Sequence, residues 1–293
     1  MQWIELSALV REEVVEKVVS LLGQYGQGGA TIEERQKELD GEKEIFVRAY
    51  IPHGHAYKSI RCEIVQSLVA LPYPVQLAER LLKPEDWLDS LKKHFGILEL
   101  GEKFIVKPSW IKQTLPDSTR TVIELDPGAA FGTGLHPTTR LCLQRLEKHL
   151  APGNAVFDLG TGSGILAIAA AKLGAGFILA LDIDPVAVKA ARSNARINHV
   201  EDCIQVKRGT VSSSLQKEYQ DRFEIVLANI TSKTIADLSR GIARVMKPGG
   251  LLVASGIHSQ GLDEVLIRLA LVDLKLEAID REDEWHTVVA RKI

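Results

Sequence analysis

Residues 155–166 read Ala-Val-Phe-Asp-Leu-Gly-Thr-Gly-Ser-Gly-Ile-Leu, an apolar run that passes into three glycines spaced two apart and then into a second apolar stretch. The run predicts a strand, the glycines a tight turn, and the residues after Gly164 a helix. Gly160, Gly162 and Gly164 remove Cβ atoms where the backbone must bend sharply and lie against a bound molecule, and the exposed N–H groups at a helix start favour an anion. Asp158 closes the strand and can fix the loop by accepting from its amides. Taken alone, the pattern also fits a turn with no ligand.

A dinucleotide fingerprint requires G-x-G-x-x-G, and Ile165 stands where its third glycine belongs, so the match to nicotinamide and flavin enzymes fails there. The spacing D-x-G-x-G-x-G over residues 158–164 instead resembles the class I S-adenosylmethionine-dependent methyltransferases. In that family the loop holds the methionine half of the cofactor, and an acidic residue ending the next strand holds the ribose hydroxyls. Asp182, after the apolar run 177–181, stands in that place. A second acid one βα unit later favours a ligand over a bare turn. Asp184, directly before Pro185, is read as the cap of the following helix.

Strand and helix patterns alternate outward from this stretch: strand 155–159, helix 164–173, strand 177–182, helix 185–198, strand 203–208, strand 224–228 and helix 233–246. Lys247-Pro-Gly-Gly250 then stops a helix and starts a strand at 251–255, a helix follows over about 260–270, and strands near 273–280 and 285–291 suit an antiparallel hairpin at the sheet edge. Such alternation builds a parallel sheet covered by helices. Upstream, residues 2–10 read as a strand, 11–22 as an amphipathic helix, 30–32 as a short strand before a charged hairpin loop at 33–44, 45–51 as a strand, 57–71 as a helix and 76–82 as a strand. The order β-α-β-β-α-β is ferredoxin-like. Residues 84–95 carry capping acids and one apolar stripe, which places a linker helix within 84–100; strands at 104–106 and 121–125 follow. The expected division is a ferredoxin-like substrate-recognition domain at 1–83, the linker at 84–100, and a methyltransferase domain at 101–293.

The 293 residues are 45% hydrophobic and 25% charged, ordinary values for a globular chain. Lys plus Arg number 36 against 38 Asp plus Glu, so no basic excess draws the chain to nucleic acid. No apolar run approaches the ~20 residues of a membrane helix, and the N-terminus lacks a secretory pattern, so the expectation is a cytoplasmic protein with no membrane partner. Cys62, Cys142 and Cys203 lack Cys-x-x-Cys spacing and read as buried small residues; His53 and His55 read as turn residues, so no metal site is expected. An RNA-binding sheet of the ferredoxin-like kind needs stacking aromatics on its central strands, and only Trp3 and Phe46 are offered there, which puts protein recognition ahead of RNA.

The most distinctive stretch is 125–139, Leu-Asp-Pro-Gly-Ala-Ala-Phe-Gly-Thr-Gly-Leu-His-Pro-Thr-Thr, whose density of Gly, Thr and His exceeds what turn chemistry needs. Together with D-x-G-x-G-S-G-I-L at 158–166, D-I-D-P at 182–185, Asn229-Ile230, K-P-G-G at 247–250 and Trp285, it resembles the ribosomal protein L11 methyltransferase family. The resemblance implies an α/β fold: a Rossmann-like class I methyltransferase domain with a mostly parallel seven-stranded sheet, preceded by the smaller α+β ferredoxin-like domain. It implies S-adenosyl-L-methionine as cofactor, contacts at Thr139, Gly160, Asp182 and Asn229 with Gly162 in the same loop, and Asn229 as the catalytic residue. The implied reaction is N-methylation of lysine ε-amino groups, with an N-terminal α-amine as a further acceptor type, and ribosomal protein L11 as the partner.

Three of these residues keep two readings: Thr139 or Thr138 also fits the cap of a helix at 140–149, His136 is a loop anchor or a general base, and Phe131 packs over the cofactor or acceptor, or only plugs its loop. At Asn229 the Pro-Pro-Tyr that grips flat amides or bases is absent, which points to an aliphatic amine. Thr231-Ser232 departs from the family's usual Leu-Ala, and this leaves acceptor geometry open. Two alternatives stand beside the main reading: N-methylation of another protein or a small-molecule amine, and a cofactor-binding module without turnover.

Overall fold

The computed structural model describes residues 2–26, 30–36, 43–54, 57–82, 96–112, 119–126 and 134–293. The chain divides into two compact units, Met1–Phe95 and Gly96–Ile293. Most of the expected linker helix, residues 84–95, lies outside the described residues; residues 98–100, also assigned to that linker, are instead a strand.

The first unit runs β1 (Gln2–Val10), a 3-10 turn (Glu12–Val14), α1 (Val15–Tyr25), β2 (Ala30–Gln36), β3 (Lys43–His53), α2 (Tyr57–Val69) and β4 (Gln76–Leu82). Its antiparallel sheet has the order β2-β3-β1-β4, as the ferredoxin-like reading requires. Alternation decides the faces: Ile4, Leu6, Ala8 and Val10 of β1 and Val47, Ala49 and Ile51 of β3 are buried, against Val18, Leu22, Ile64 and Leu68 of the helices. The charged hairpin is shorter than expected, because β2 continues to Gln36 paired with Lys43. An edge strand tolerates this polarity, and the Arg48–Glu33 ion pair at 3.0 Å ties it across the sheet. Trp3 is 2% exposed, so it offers no face for a base. Cys62 is exposed, contrary to expectation, because it sits off the buried Tyr57, Ile64, Leu68 stripe of α2. His55 lies outside the described residues.

The second unit begins with a small sheet of β5 (Leu98–Leu100), β6 (Phe104–Pro108) and β7 (Thr121–Leu125), with β5 antiparallel and β7 parallel to β6. There follow α3 (Pro137–His149), β8 (Ala155–Leu159), α4 (Ile165–Lys172), β9 (Phe177–Asp182), α5 (Pro185–Ile197), β10 (Ile204–Arg208), α6 (Ser213–Glu218), β11 (Phe223–Asn229), α7 (Ser232–Val245), β12 (Met246–His258), α8 (Leu262–Ala270), β13 (Leu274–Glu282) and β14 (Trp285–Lys292). Seven strands form one sheet in the order β10-β9-β8-β11-β12-β14-β13. The first five are parallel, and β14 runs antiparallel between β12 and β13. This is the mostly parallel, Rossmann-like seven-stranded sheet that the sequence led us to expect, closed by the expected hairpin.

Two local features differ from the sequence reading. β12 starts at Met246, and Lys247-Pro-Gly-Gly250 forms an irregularity inside it: Phe223 pairs with Met246 and Ile225 with Leu251. Regular pairing resumes at Leu251, where the strand was expected to begin. The short helix α6 was not foreseen. Its Ser212 side chain accepts from the Leu215 amide, but six residues are too few for a periodic signal. Strand order reverses between β8 and β11, and in open α/β sheets the crevice at the carboxyl ends beside such a reversal receives the ligand. Among the described residues no helix is long and apolar enough to cross a membrane, and no group of three or more His, Cys, Asp or Glu is placed to hold a metal.

Candidate active site

At the carboxyl end of β8, all of whose residues are buried, the chain turns through Gly160, Gly162 and Gly164 with φ of +77°, +56° and +87°. The left-handed region penalises a Cβ, which is the physical reason for this spacing. The loop is tied to the neighbouring strand: Gly160 N and Thr161 N both donate to Leu181 O, at 2.8 and 2.9 Å. Gly162 N donates to Asp182 Oδ2 at 3.0 Å, and Asp184 N to Asp182 Oδ1 at 2.9 Å. Asp182 is thus held in place by two amides with lone pairs to spare. Asp184 Oδ1 accepts from Val186 N at 2.8 Å and caps α5, the role the sequence assigned it.

Helix α3 and strand β11 meet at the same edge. Asn229, the last residue of β11, donates from Nδ2 to Oγ1 of the buried Thr139 at 3.4 Å, joining positions 90 residues apart. Neither threonine caps α3. His136 does, with Nδ1 accepting from Thr138 N at 3.4 Å and lying 2.8 Å from Thr138 Oγ1, while Pro137 opens the first turn. Of the expected site residues, Thr139, Gly160, Gly162, Asp182 and Asn229 occupy one strand edge, and His136 borders it. Phe131 lies outside the described residues.

The sequence model of the family described as Ribosomal protein L11 methyltransferase (PrmA) matches residues 2–293. The chain belongs to this family. A ribosomal protein L11 methyltransferase of Chloroflexus aurantiacus is 37% identical over an alignment covering 99% of this chain and 98% of the relative. One from Herpetosiphon aurantiacus is 35% identical, covering 100% and 99%. A solved ribosomal protein L11 methylase from Lactobacillus delbrueckii subsp. bulgaricus superposes with a TM-score of 0.60 and 32% identity, covering 68% of this chain and all of that one.

Around the family's glycine loop, burial dictates the electrostatics. Asp158 is fully buried; Oδ2 accepts from Thr161 Oγ1 at 2.6 Å, and Oδ1 makes no hydrogen bond. Desolvation pushes its carboxyl up to about 7. It therefore anchors Thr161 and does not accept from the loop amides in the manner the sequence suggested. His136 is pushed down to about 4, first by burial and then by Arg140, so at neutral pH it is an uncharged ring already engaged at Nδ1. Those bonds favour the loop-anchor reading over the general base. Cys142 on α3 is pushed up to about 12 by burial and stays a thiol.

Two site residues, Asn194 and Asn198, were not singled out from sequence. Asn194 accepts from Asp126 N at 2.9 Å and donates to Ser163 O at 2.8 Å, so one buried carboxamide links the end of β7 to the glycine loop. Asn198, one turn on, accepts from Glu124 N at 2.9 Å. The signal was present: both continue the Ala187, Ala191 stripe of α5, and a polar pair on a buried stripe needs partners. Trp285 stands edge-on to His136 and His258, with centroids 4.7 and 5.6 Å away, and His258 Nε2 lies 2.7 Å from Glu284 Oε2.

Proposed function

We propose that the protein is an S-adenosylmethionine-dependent N-methyltransferase that acts in the cytoplasm on ribosomal protein L11, modifying lysine ε-amino groups and an N-terminal α-amine. The observation that carries this reading is the convergence of Thr139, Asn229, the Gly160–Gly164 loop and Asp182 on one strand edge. Residues 1–83 serve as the substrate-recognition domain in this reading, and Trp3 of β1 is buried and not open to a base.

The donor set fits the cofactor. Asp182 supplies a fixed carboxylate for vicinal ribose hydroxyls, the loop lets the backbone approach closely, and Asp158 Oδ1 is a buried acceptor suited to an ammonium group. When bound, S-adenosylmethionine supplies an electrophilic methyl on a sulfonium, which an uncharged amine takes in line. The protein's task is then mainly positioning. With Nδ2 committed to Thr139, Asn229 keeps Oδ1 to accept from an amine N–H and so direct the nitrogen lone pair. A lysine amine of reference pKa ~10.4 must reach the site neutral, and desolvation with the nearby positive charge lowers that value. His136 is engaged as a cap, so the amine's proton leaves to water.

The test is methyl incorporation into L11 from labelled cofactor, read by intact mass beside an Asn229→Ala control. Mass gains of whole methyl groups with wild type, abolished in the variant, support the reading. Cofactor binding without any methylated L11 moves the acceptor to another protein or a small amine.

A further inference from the structure

Ile230 lies between two glycines from different parts of the site. A Cβ on Gly160, in the donor loop, would come within 2.3 Å of Ile230 Cγ2. A Cβ on Gly256, in β12, would come within 2.3 Å of Ile230 O and 2.9 Å of its carbonyl carbon. Both distances are far inside van der Waals contact, so Ile230 excludes a Cβ at each position in addition to the strain that φ of +77° and +80° would impose. The residue is pinned further by Ile230 N donating to Ser255 O at 3.2 Å, and by Thr231 behind it, which caps α7. Immediately before it stands Asn229, bonded to Thr139.

We infer that Ile230 is a positioning residue: its β-branch rests on Gly160 and its peptide on Gly256, which sets the register between the loop that holds the donor and the Asn229 turn that faces the acceptor. The contacts form one chain, from Thr139 through Asn229 and Ile230 to Gly160, and on to Asp182 through the loop amides. Gly160 is accordingly a packing requirement as well as a place of close approach. The inference rests on the proposed methyl transfer for its rate readout, and on cofactor affinity alone for the rest.

The two glycines meet different atoms of Ile230, and this makes a discriminating cycle. In the full chain, Gly160→Ala weakens cofactor binding by isothermal titration by roughly 30-fold or more, and adding Ile230→Ala recovers at least about threefold of it, the share owed to the clashing methyl, while the strain of a Cβ at φ +77° remains. The backbone that opposes Gly256 survives truncation, so Gly256→Ala is impaired equally in both backgrounds. Equal penalties for Gly160→Ala with and without Ile230 overturn the inference.

A second pair of variants leaves both glycines untouched. Ile230→Val keeps the β-branch and retains kcat, whereas Ile230→Leu, which lacks the Cγ2 methyl, lowers kcat about tenfold with cofactor Kd changed by less than about threefold. Equal kcat for the two, with unchanged melting temperatures, also overturns it. Should wild type fail to methylate L11, the proposed acceptor falls while the affinity cycle still decides the role of Ile230.

Discussion

His136 offers the sharpest separation between a structural and a chemical role. As the N-cap of α3 it holds the Thr138 amide, and its ring stands edge-on to Trp285. His136→Ala removes a cap worth about 1 kcal/mol and an aromatic contact of similar size, a loss of about 2 kcal/mol. His136→Asn retains a capping acceptor and loses only the ring contact, about 1 kcal/mol. In a unit of this size these translate into Tm decreases of about 6 and 3 °C, readable by scanning calorimetry.

The pH dependence adds a second arm. The folded pKa lies near 4, below the usual 6.5, so the neutral ring's contribution is complete above pH 6.5 and is lost as pH falls toward 4, by at most about 3 kcal/mol. The gap of about 1 kcal/mol between wild type and His136→Asn should therefore narrow on acidification and reverse before pH 4. A general base would cost about 10²–10⁴ in kcat when replaced. The cap reading expects His136→Asn to stay within about fivefold of wild type, with the same pH–rate profile between pH 6 and 9. A loss of about 100-fold at unchanged cofactor affinity would refute it.

Asp158→Asn tests the buried carboxylate. Its pKa is raised to about 7, so the native state holds a proton the unfolded chain releases, and wild-type stability falls as pH rises from about 4 through 7. The variant should therefore gain on wild type by on the order of 1–3 kcal/mol between pH 5 and pH 8 while binding the cofactor more weakly; parallel stability curves would count against this. Asn194→Ala removes the hydrogen bonds to the Asp126 amide and the Ser163 carbonyl, a loss of about 1–3 kcal/mol in urea unfolding together with a raised cofactor KM; an unchanged KM would mean that the loop stands without it. Arg145→Met removes the two-pronged pairing with Asp280 and should cost about 1 kcal/mol, most of it screened in 1 M salt; a salt-independent loss would assign it to packing.

The central loop was legible because its constraint is local. Three backbone turns need three glycines, and the acid that receives a loop amide ends the very next strand. Strand and helix alternation was legible for the same reason, with errors at polar margins such as β2, where charged residues sit comfortably on an edge, and in short elements such as α6. Ile230 was marked only as the partner of Asn229 in the family signature; its packing role shows once the glycines from positions 160 and 256 are seen on either side of it. The loop-anchor reading of His136 fits its bonds, but the cap itself was assigned to the hydroxyl residues that usually provide it, whereas an imidazole before Pro137 supplies the same acceptor.

The least legible part of the site is its closing wall, because its contacts to α3 span more than 130 residues. Arg140 and Arg145 of α3 bind Glu282 and Asp280 at the end of β13. The chain then turns so that Trp285 enters between His136 and His258, and β14 inserts beside β12 to finish the sheet. No periodicity in the final forty residues announces these partners. Antiparallel pairing of β14 carries Trp285 to the same strand edge as Asn229, since His258, its ladder partner, stands three residues beyond Ser255, the partner of Asn229. A tail read only as an edge hairpin thus extends to the edge where the donor loop and the acceptor turn meet, held there by the ladder to β12 and tied to α3 by the two ion pairs.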